Sequence, residues 1–186
     1  MKEEVSQVVE LLKQGKTILY PTDTVWGLGC DAKNIDAVRR IMEIKNRSAQ
    51  KSFVLLVDSD ARLQEYVSVP DLAWDLMDLS EKPLTLVYQN PKGLPREILA
   101  EDGSIAIRKV KDDFCQNIIK RLNSPIVSTS ANLSGRPTPQ HFGEIEMEIK
   151  NQVDYVCLYR QDQTTPAEAS SIISLTIDGK VKVIRP

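Results

Sequence analysis

Cysteine, histidine and aromatic residues are scarce in this 186-residue chain, which has three cysteines and one histidine. Cys30, Cys115 and Cys157 are far apart and form no C-x-x-C pair, which argues against a disulfide framework or a zinc site and favours reduced thiols. Aromatic residues make up 5% of the chain. So few rings argue against the stacking surfaces on which proteins usually bind nucleic-acid strands.

Long apolar runs and a strong net charge are missing as well. No run approaches the ~20 apolar residues that a membrane-spanning helix needs. A net charge of −2 and an isoelectric point near 5.6 argue against a strongly basic nucleic-acid binder, although they leave room for a local basic patch. The first residues, Met1-Lys2-Glu3-Glu4, lead directly into a helical pattern without the features of a signal peptide. We therefore expect a cytoplasmic protein with no membrane partner.

Helical and extended patterns alternate along the chain. Apolar spacing predicts helices near 5–14, 34–45, 70–79, 112–122 and 140–150, and strands at 17–20, 53–57, 84–88, 104–108, 125–129, 155–159, 171–175 and 181–184. The last strands follow one another without helices between them, which predicts a mixed sheet. No repeat or linker divides the sequence. We predict a single α/β domain over residues 1–186, with a twisted mixed β-sheet flanked by helices.

A turn rich in hydroxyl groups follows the first predicted strand. Its residues Thr22-Asp23-Thr24 are, taken alone, more typical of a capped turn than of a site, because these side chains readily bond their own backbone. Glycines follow in Val25-Trp26-Gly27-Leu28-Gly29, and glycine allows backbone N–H groups to approach phosphate oxygens.

Cations follow the helix predicted at 34–45. Lys45, Arg47 and Lys51 have no acidic neighbours between them, so a solvated helix end and a convergent anion site are about equally favoured. Arg108 and Arg185 each end a predicted strand, where open α/β sheets commonly hold ligands. Together these five cations predict a central cationic cavity that binds a polyanion such as a nucleoside triphosphate.

Small polar residues crowd the end of strand 125–129. The segment Ser128-Thr129-Ser130-Ala131-Asn132-Leu133-Ser134-Gly135-Arg136-Pro137-Thr138 holds more hydroxyl groups than one helix cap uses. Such a loop can bind phosphate or carboxylate through O–H and N–H donors, so a site is favoured here.

Two other enzyme classes fit the sequence poorly. A serine hydrolase built on Ser130 would need His141, the one histidine, as its base, and the chain has no G-x-S-x-G elbow. The full Walker A pattern is also absent, which excludes a P-loop NTPase.

Three of these stretches resemble the YrdC/TsaC family of threonylcarbamoyl-AMP synthases. They are residues 20–32, the pair Lys45-x-Arg47 with Lys51, and residues 128–137. The resemblance extends from the strand at 17–21 to Arg185-Pro186, and the first and third stretches are long and specific. It implies a twisted α/β fold with a deep, positively lined cavity.

The resemblance also implies a reaction. L-Threonine, bicarbonate and ATP would form threonylcarbamoyl-AMP and pyrophosphate, a nucleotidyl transfer that supplies the tRNA modification threonylcarbamoyladenosine (t6A). Downstream tRNA-modification proteins would take the product, and weak RNA or tRNA contact would be compatible with this role. Mg²⁺ would accompany ATP, held mainly by its phosphates with no dedicated protein ligands and with Asp23 as an outer carboxylate.

The resemblance assigns roles to individual residues. Lys45 and Arg47 would act in catalysis. The ATP site would comprise Arg47, Lys51, Ser104, Ser130, Thr138 and Arg185. The threonine site would comprise Thr24, Arg108, Ser128 and Ser170, with Arg108 pairing the carboxylate.

Two alternatives stay open from the sequence. A non-catalytic RNA-binding module could use the same cationic surface, although the acidic isoelectric point and the few aromatics count against it. A divergent paralogue could act on another carbamoylated or adenylated substrate. Turnover that requires both threonine and bicarbonate would favour the synthase.

Overall fold

The computed structural model describes residues 1–46, 53–176 and 179–186. Its strands are β1 (Ile18–Tyr20), β2 (Gly27–Asp31), β3 (Val54–Val57), β4 (Leu84–Tyr88), β5 (Ile105–Lys109), β6 (Ile126–Ser130), β7 (Tyr155–Val156), β8 (Ser171–Leu175) and β9 (Val181–Arg185). Its α-helices are α1 (Lys2–Lys13), α2 (Ile35–Ile44), α3 (Asp60–Tyr66), α4 (Asp71–Leu79), α5 (Asp113–Leu122) and α6 (Met147–Gln152). Short 3₁₀ helices span Arg96–Ile98 and Phe142–Glu144.

The strands of the described residues form one twisted mixed sheet in the order β7-β1-β2-β6-β3-β5-β4-β8-β9. Helices flank it, with α1 packed against α5 and α2 against β2. The central strands β3 and β5 run parallel, whereas β6 is antiparallel to both β3 and β2. The α/β fold with a mixed sheet, predicted from the alternation of patterns, is confirmed.

Helices α2 and α5 begin where a side chain caps free N–H groups. Asn34 accepts a hydrogen bond from Ala37 N at 3.0 Å at the start of α2, and Asp112 accepts one from Cys115 N at 3.0 Å at the start of α5. Helix α5 ends at Asn123, whose φ of 55° is the left-handed conformation common after a helix. Apolar residues on one face of each helix are buried against the sheet.

The sequence patterns missed strand β2 and helix α3. Strand β2 follows the turn at Thr22-Asp23-Thr24, and its two glycines weaken the extended signal. Helix α3 is only seven residues long and is capped by Ser59, whose Oγ accepts from Arg62 N at 3.3 Å.

Two predicted elements have different bounds. The strand predicted at 155–159 ends at Val156, since the N–H groups of Leu158 and Tyr159 bond the Glu4 carboxylate instead of continuing the ladder. The helix predicted at 140–150 is divided into the 3₁₀ turn at Phe142–Glu144 and α6, with Ile145 extended between them.

Candidate active site

A cavity lies over one face of the central strands. Its floor is β3, where Val54 pairs with Ser128 of β6 and Leu56 pairs with Arg108 of β5. Alternate residues of a strand share a face, and so do directly paired residues of neighbouring strands, so these four side chains line the same surface. The cavity encloses about 690 Å³ including its open mouth.

Residues from six parts of the chain surround this floor. They come from the turn after β1, the ends of β5 and β6, the loop after β6, the segment before β8 and the end of β9. The lining includes seven residues expected from the sequence to bind substrates: Thr24, Arg108, Ser128, Ser130, Thr138, Ser170 and Arg185. The fold therefore collects residues that are up to 161 positions apart, from Thr24 to Arg185, around one space.

Arg108 is buried at the edge of the cavity, with 6% of its surface exposed. Its Nη2 lies 3.0 Å from Asp23 Oδ1 and 3.4 Å from Thr22 Oγ1. Its Nε is buried and has no hydrogen-bond partner among the residues that the structure describes. Burying an N–H donor without a partner costs free energy. This guanidinium is therefore suited to donate a hydrogen bond to an anionic oxygen of a ligand.

Arg185 reaches the same cavity from the last strand. Its Nε donates to Ser170 O at 2.8 Å, and its Nη2 lies 3.4 Å from Ser170 Oγ. Ser170 Oγ in turn bonds Thr85 Oγ1 at 2.7 Å. Burial, and then the nearby charge of Arg108, lower the pKa of Arg185 from its usual value. An anion placed between the two guanidinium groups would relieve this repulsion.

Lys45 holds the loop after β6 by hydrogen bonds to its backbone. Its side chain is buried, and its Nζ donates to Ser130 O at 2.5 Å and to Asn132 O at 2.6 Å. Ser130 Oγ donates to Asn132 Oδ1 at 2.5 Å, and Asn132 Nδ2 donates to Arg136 O at 2.7 Å. Lys45 is not among the residues that line the cavity.

Ser104 lies away from this cavity. It immediately precedes β5, and its N–H donates to Asp102 Oδ1 at 3.0 Å. Ala106 and Ser128 both pair with Val54, and β6 is antiparallel to β3, so Ser104 lies towards the same end of the sheet as Ser130 and about 13 Å along the chain from Arg108. Arg47 and Lys51 lie outside the described residues.

Comparison with known proteins agrees with this architecture. The model of the Sua5/YciO/YrdC family, described as "Telomere recombination", matches residues 10–186. A threonylcarbamoyl-AMP synthase of Pseudoalteromonas translucida (strain TAC 125) is 32% identical over 181 residues, which are 95% of this chain and 95% of the relative. The chain belongs to the Sua5/YciO/YrdC family.

Solved structures of the family share the fold. E. coli YciO superposes with a TM-score of 0.86 and 27% identity, over 100% of this chain and 89% of that chain. P. abyssi Sua5 complexed with L-threonine superposes with a TM-score of 0.81 and 26% identity, over 92% of this chain and 50% of that chain. The present chain thus spans about half the length of that Sua5.

Asp23 pairs with Arg108 by charge, although its Oδ1 makes no hydrogen bond among the described residues. Besides pairing with Arg108, its Oδ2 accepts from Lys111 N at 3.3 Å. Within residues 1–46, 53–176 and 179–186, no group of three or more histidine, cysteine, aspartate or glutamate side chains is placed to hold a metal ion. The described carboxylates therefore do not offer a ready-made magnesium cage.

The serine-hydrolase arrangement does not form between the two residues it would need. Ser130 Oγ donates to Asn132, whereas His141 Nε2 lies 3.3 Å from Glu144 Oε1.

Helices long and apolar enough to cross a membrane do not occur in the described part of this family member.

Two aromatic residues at the site escaped the sequence reasoning. Trp26 lines the cavity and packs against Phe142 with ring centroids 4.9 Å apart. Tyr20, buried beneath, donates its hydroxyl proton to Ser128 Oγ at 2.9 Å. Both belong to the stretch 20–32 that resembles the family. Because aromatic residues are scarce in this chain, two of them in one such stretch was the signal that could have singled them out.

Proposed function

We propose that this chain is an L-threonylcarbamoyladenylate synthase, a nucleotidyltransferase that forms threonylcarbamoyl-AMP and pyrophosphate from L-threonine, bicarbonate and ATP. The observation that carries the proposal is the convergence of Arg108 and Arg185 with several hydroxyl groups on one cavity. Relatives named threonylcarbamoyl-AMP synthase match nearly the whole chain, and a Sua5 with the same fold binds L-threonine.

The chemistry needs positioning and charge neutralisation more than a covalent nucleophile. The threonine amine attacks bicarbonate, and loss of water leaves a carbamate. A carbamate oxygen then attacks the α-phosphorus of ATP, and the bond to the pyrophosphate leaving group breaks. Two anions must approach each other, which arginine and hydroxyl donors favour by spreading and screening their charge.

The threonine pocket would lie around Arg108. Its unpartnered Nε is suited to the amino acid's carboxylate, because a guanidinium binds carboxylates through several N–H donors. Thr24, Ser128 and Ser170 are lining neighbours that would supply hydroxyl contacts to the rest of the amino acid.

The nucleotide would occupy the other side of the cavity, against Ser130, Thr138 and Arg185. Arg47 and Lys51, outside the described residues, would bind its phosphates, as the resemblance implies. For Lys45 the contacts favour a positioning role, because its ammonium group holds the loop that carries Ser130. Ser104 lies towards the same end of the sheet as Ser130, and its expected ATP contact stays a prediction.

Magnesium would enter as a companion of ATP. The described side chains offer no cluster of ligands for it, and Asp23 already pairs with Arg108. The phosphates and water would therefore supply most of its ligands, as is common for Mg²⁺ bound with nucleotides. The product would pass to downstream tRNA-modification proteins for t6A synthesis, which fits a cytoplasmic location.

The test is an incubation with ATP, labelled threonine and bicarbonate, followed by chromatography for the mixed anhydride and for pyrophosphate. We expect both products only when all three substrates are present. Salt-sensitive RNA binding without nucleotide turnover would instead support the RNA-binding module. Adduct formation with another amino acid but not with threonine would support the divergent paralogue.

A further inference from the structure

Tyr20 and Ser128 are joined by a hydrogen bond that crosses an entire strand. Tyr20 ends β1, Ser128 lies in β6, and β2 runs between them. The phenol is fully buried, and its hydroxyl donates to Ser128 Oγ at 2.9 Å. Ser128 lines the cavity, whereas Tyr20 does not. A buried aromatic residue therefore contacts a cavity residue from behind.

Two glycines of β2 make room for this contact. A Cβ atom on Gly29 would lie 2.6 Å from Tyr20 Cε1, and one on Gly27 would lie 2.8 Å from Ser128 Oγ. Neither glycine has a positive φ. Their small size, and not their backbone freedom, is what the position requires, because any side chain would displace the ring or the hydroxyl group.

The hydrogen bond decides what Ser128 can offer a ligand. A serine hydroxyl has one proton to donate and two lone pairs that accept. One lone pair receives the Tyr20 proton, and Ser128 Oγ makes no other hydrogen bond within the described part of the chain. Burial raises the pKa of Tyr20 well above its usual value, so the phenol keeps its proton and stays a donor. The Ser128 proton is left to point into the cavity.

We infer that Tyr20 is a positioning residue that orients the Ser128 hydroxyl as a hydrogen-bond donor to an oxygen of the threonine-derived substrate. The identity of that substrate rests on the proposed function. The orientation itself rests on the Tyr20–Ser128 contact and on the space left by Gly27 and Gly29.

Tyr20→Phe removes the phenol oxygen and keeps the ring. We expect the KM for threonine to rise roughly fivefold, the value of one ordinary hydrogen bond, while the KM for ATP stays unchanged. Ser128→Ala should raise the threonine KM at least as much, and adding Tyr20→Phe to it should have no further effect. If Tyr20→Phe raised the threonine KM by the same factor in the wild type and in Ser128→Ala, the inference would be overturned. The tyrosine would then act independently of the Ser128 hydroxyl, in a purely structural role.

Tyr88→Phe is the matched control. Tyr88 is also buried, its hydroxyl has no hydrogen-bond partner among the described residues, and it does not line the cavity. We expect this variant to keep the wild-type KM for both substrates. A similar rise in threonine KM for Tyr88→Phe would show that the loss of any buried phenol disturbs the site, and would also overturn the inference.

A crystal structure of Tyr20→Phe tests the orientation without any activity. We expect the ring to stay in place and Ser128 Oγ to occupy more than one rotamer or a new one. A single unchanged Ser128 rotamer would contradict the inference. Failure of the wild-type protein to form threonylcarbamoyl-AMP would contradict the proposed function alone, because the rotamer result does not depend on the substrate.

Discussion

Asp23 and Arg108 form an ion pair in which Oδ1 and Nη2 lie 3.0 Å apart and the side chains are only 10% and 7% exposed. Asp23 belongs to the turn after β1, and Arg108 belongs to β5. The pair therefore fixes the cavity arginine to a turn from a distant part of the chain, and leaves its Nε for a ligand.

Asp23→Asn should destabilise the fold. It leaves the Arg108 charge buried without its counter-charge, for which we expect a loss of about 3 kcal/mol in the free energy of unfolding. Urea denaturation followed by circular dichroism measures this loss. The double variant Asp23→Asn, Arg108→Met should recover part of it, because both charges are then gone. If Asp23→Asn alone were as stable as the wild type, the ion pair would have to be exposed to water in solution.

Arg108→Ala should weaken threonine use selectively. We expect the KM for threonine to rise at least tenfold, about 1.4 kcal/mol, and ATP affinity to change little, because the proposed ATP contacts do not include Arg108. Steady-state kinetics with each substrate varied in turn provides the measurement. Arg62→Ala is the control, since Arg62 forms an equally buried ion pair with Asp58 outside the cavity. Parallel losses in threonine and ATP affinity would contradict the proposed pocket.

Lys45→Met should loosen the loop that carries Ser130. It removes the charged donor to Ser130 O and Asn132 O, for which we expect a loss of about 2 kcal/mol in stability. The KM for ATP should rise more than the KM for threonine. Thermal unfolding and steady-state kinetics test both expectations, with the exposed Lys33→Met as control. An unchanged KM for ATP would argue against the loop's role in nucleotide binding.

The cysteines should be inert in the native protein. Cys30, Cys115 and Cys157 are all buried, and burial raises the pKa of each thiol above its usual value, so the reactive thiolate is rare at pH 8. We expect an aromatic disulfide reagent to label none of them in buffer and all of them in denaturant, as read from released chromophore. Rapid labelling of any one thiol without denaturant would contradict the packing around it.

The sequence predicted the cavity lining better than the contacts behind it. Thr24, Arg108, Ser128 and Arg185 each end or follow an apolar strand, which marked them as candidates. A shared face of the sheet, and not a common edge, brings Arg108 and Ser128 together, because β6 runs antiparallel to β3 while β5 runs parallel to it. Their partners depend on strand order, which local patterns do not contain. Asp23 and Arg108 are 85 positions apart, and Tyr20 and Ser128 are 108 positions apart, so no spacing rule connects either pair.

Local patterns also failed where the packing requires a residue of small size. Gly27 and Gly29 weakened the strand signal of β2, although they are there to admit the Tyr20 ring. The burial of the Lys45 ammonium group beneath a loop cannot be seen from charge spacing, and its expected part in catalysis stays a prediction. Such residues follow from tertiary contacts, which override local preference.

The place of Arg185 on β9 has a practical consequence. Among the described residues, β9 pairs with β8 alone, so one of its two sides lacks a neighbouring strand. A fluorophore or surface linker attached to this strand would therefore act on a cavity arginine through a weakly supported segment. Attachment to α1, whose residues do not line the cavity, is the better design for kinetic work.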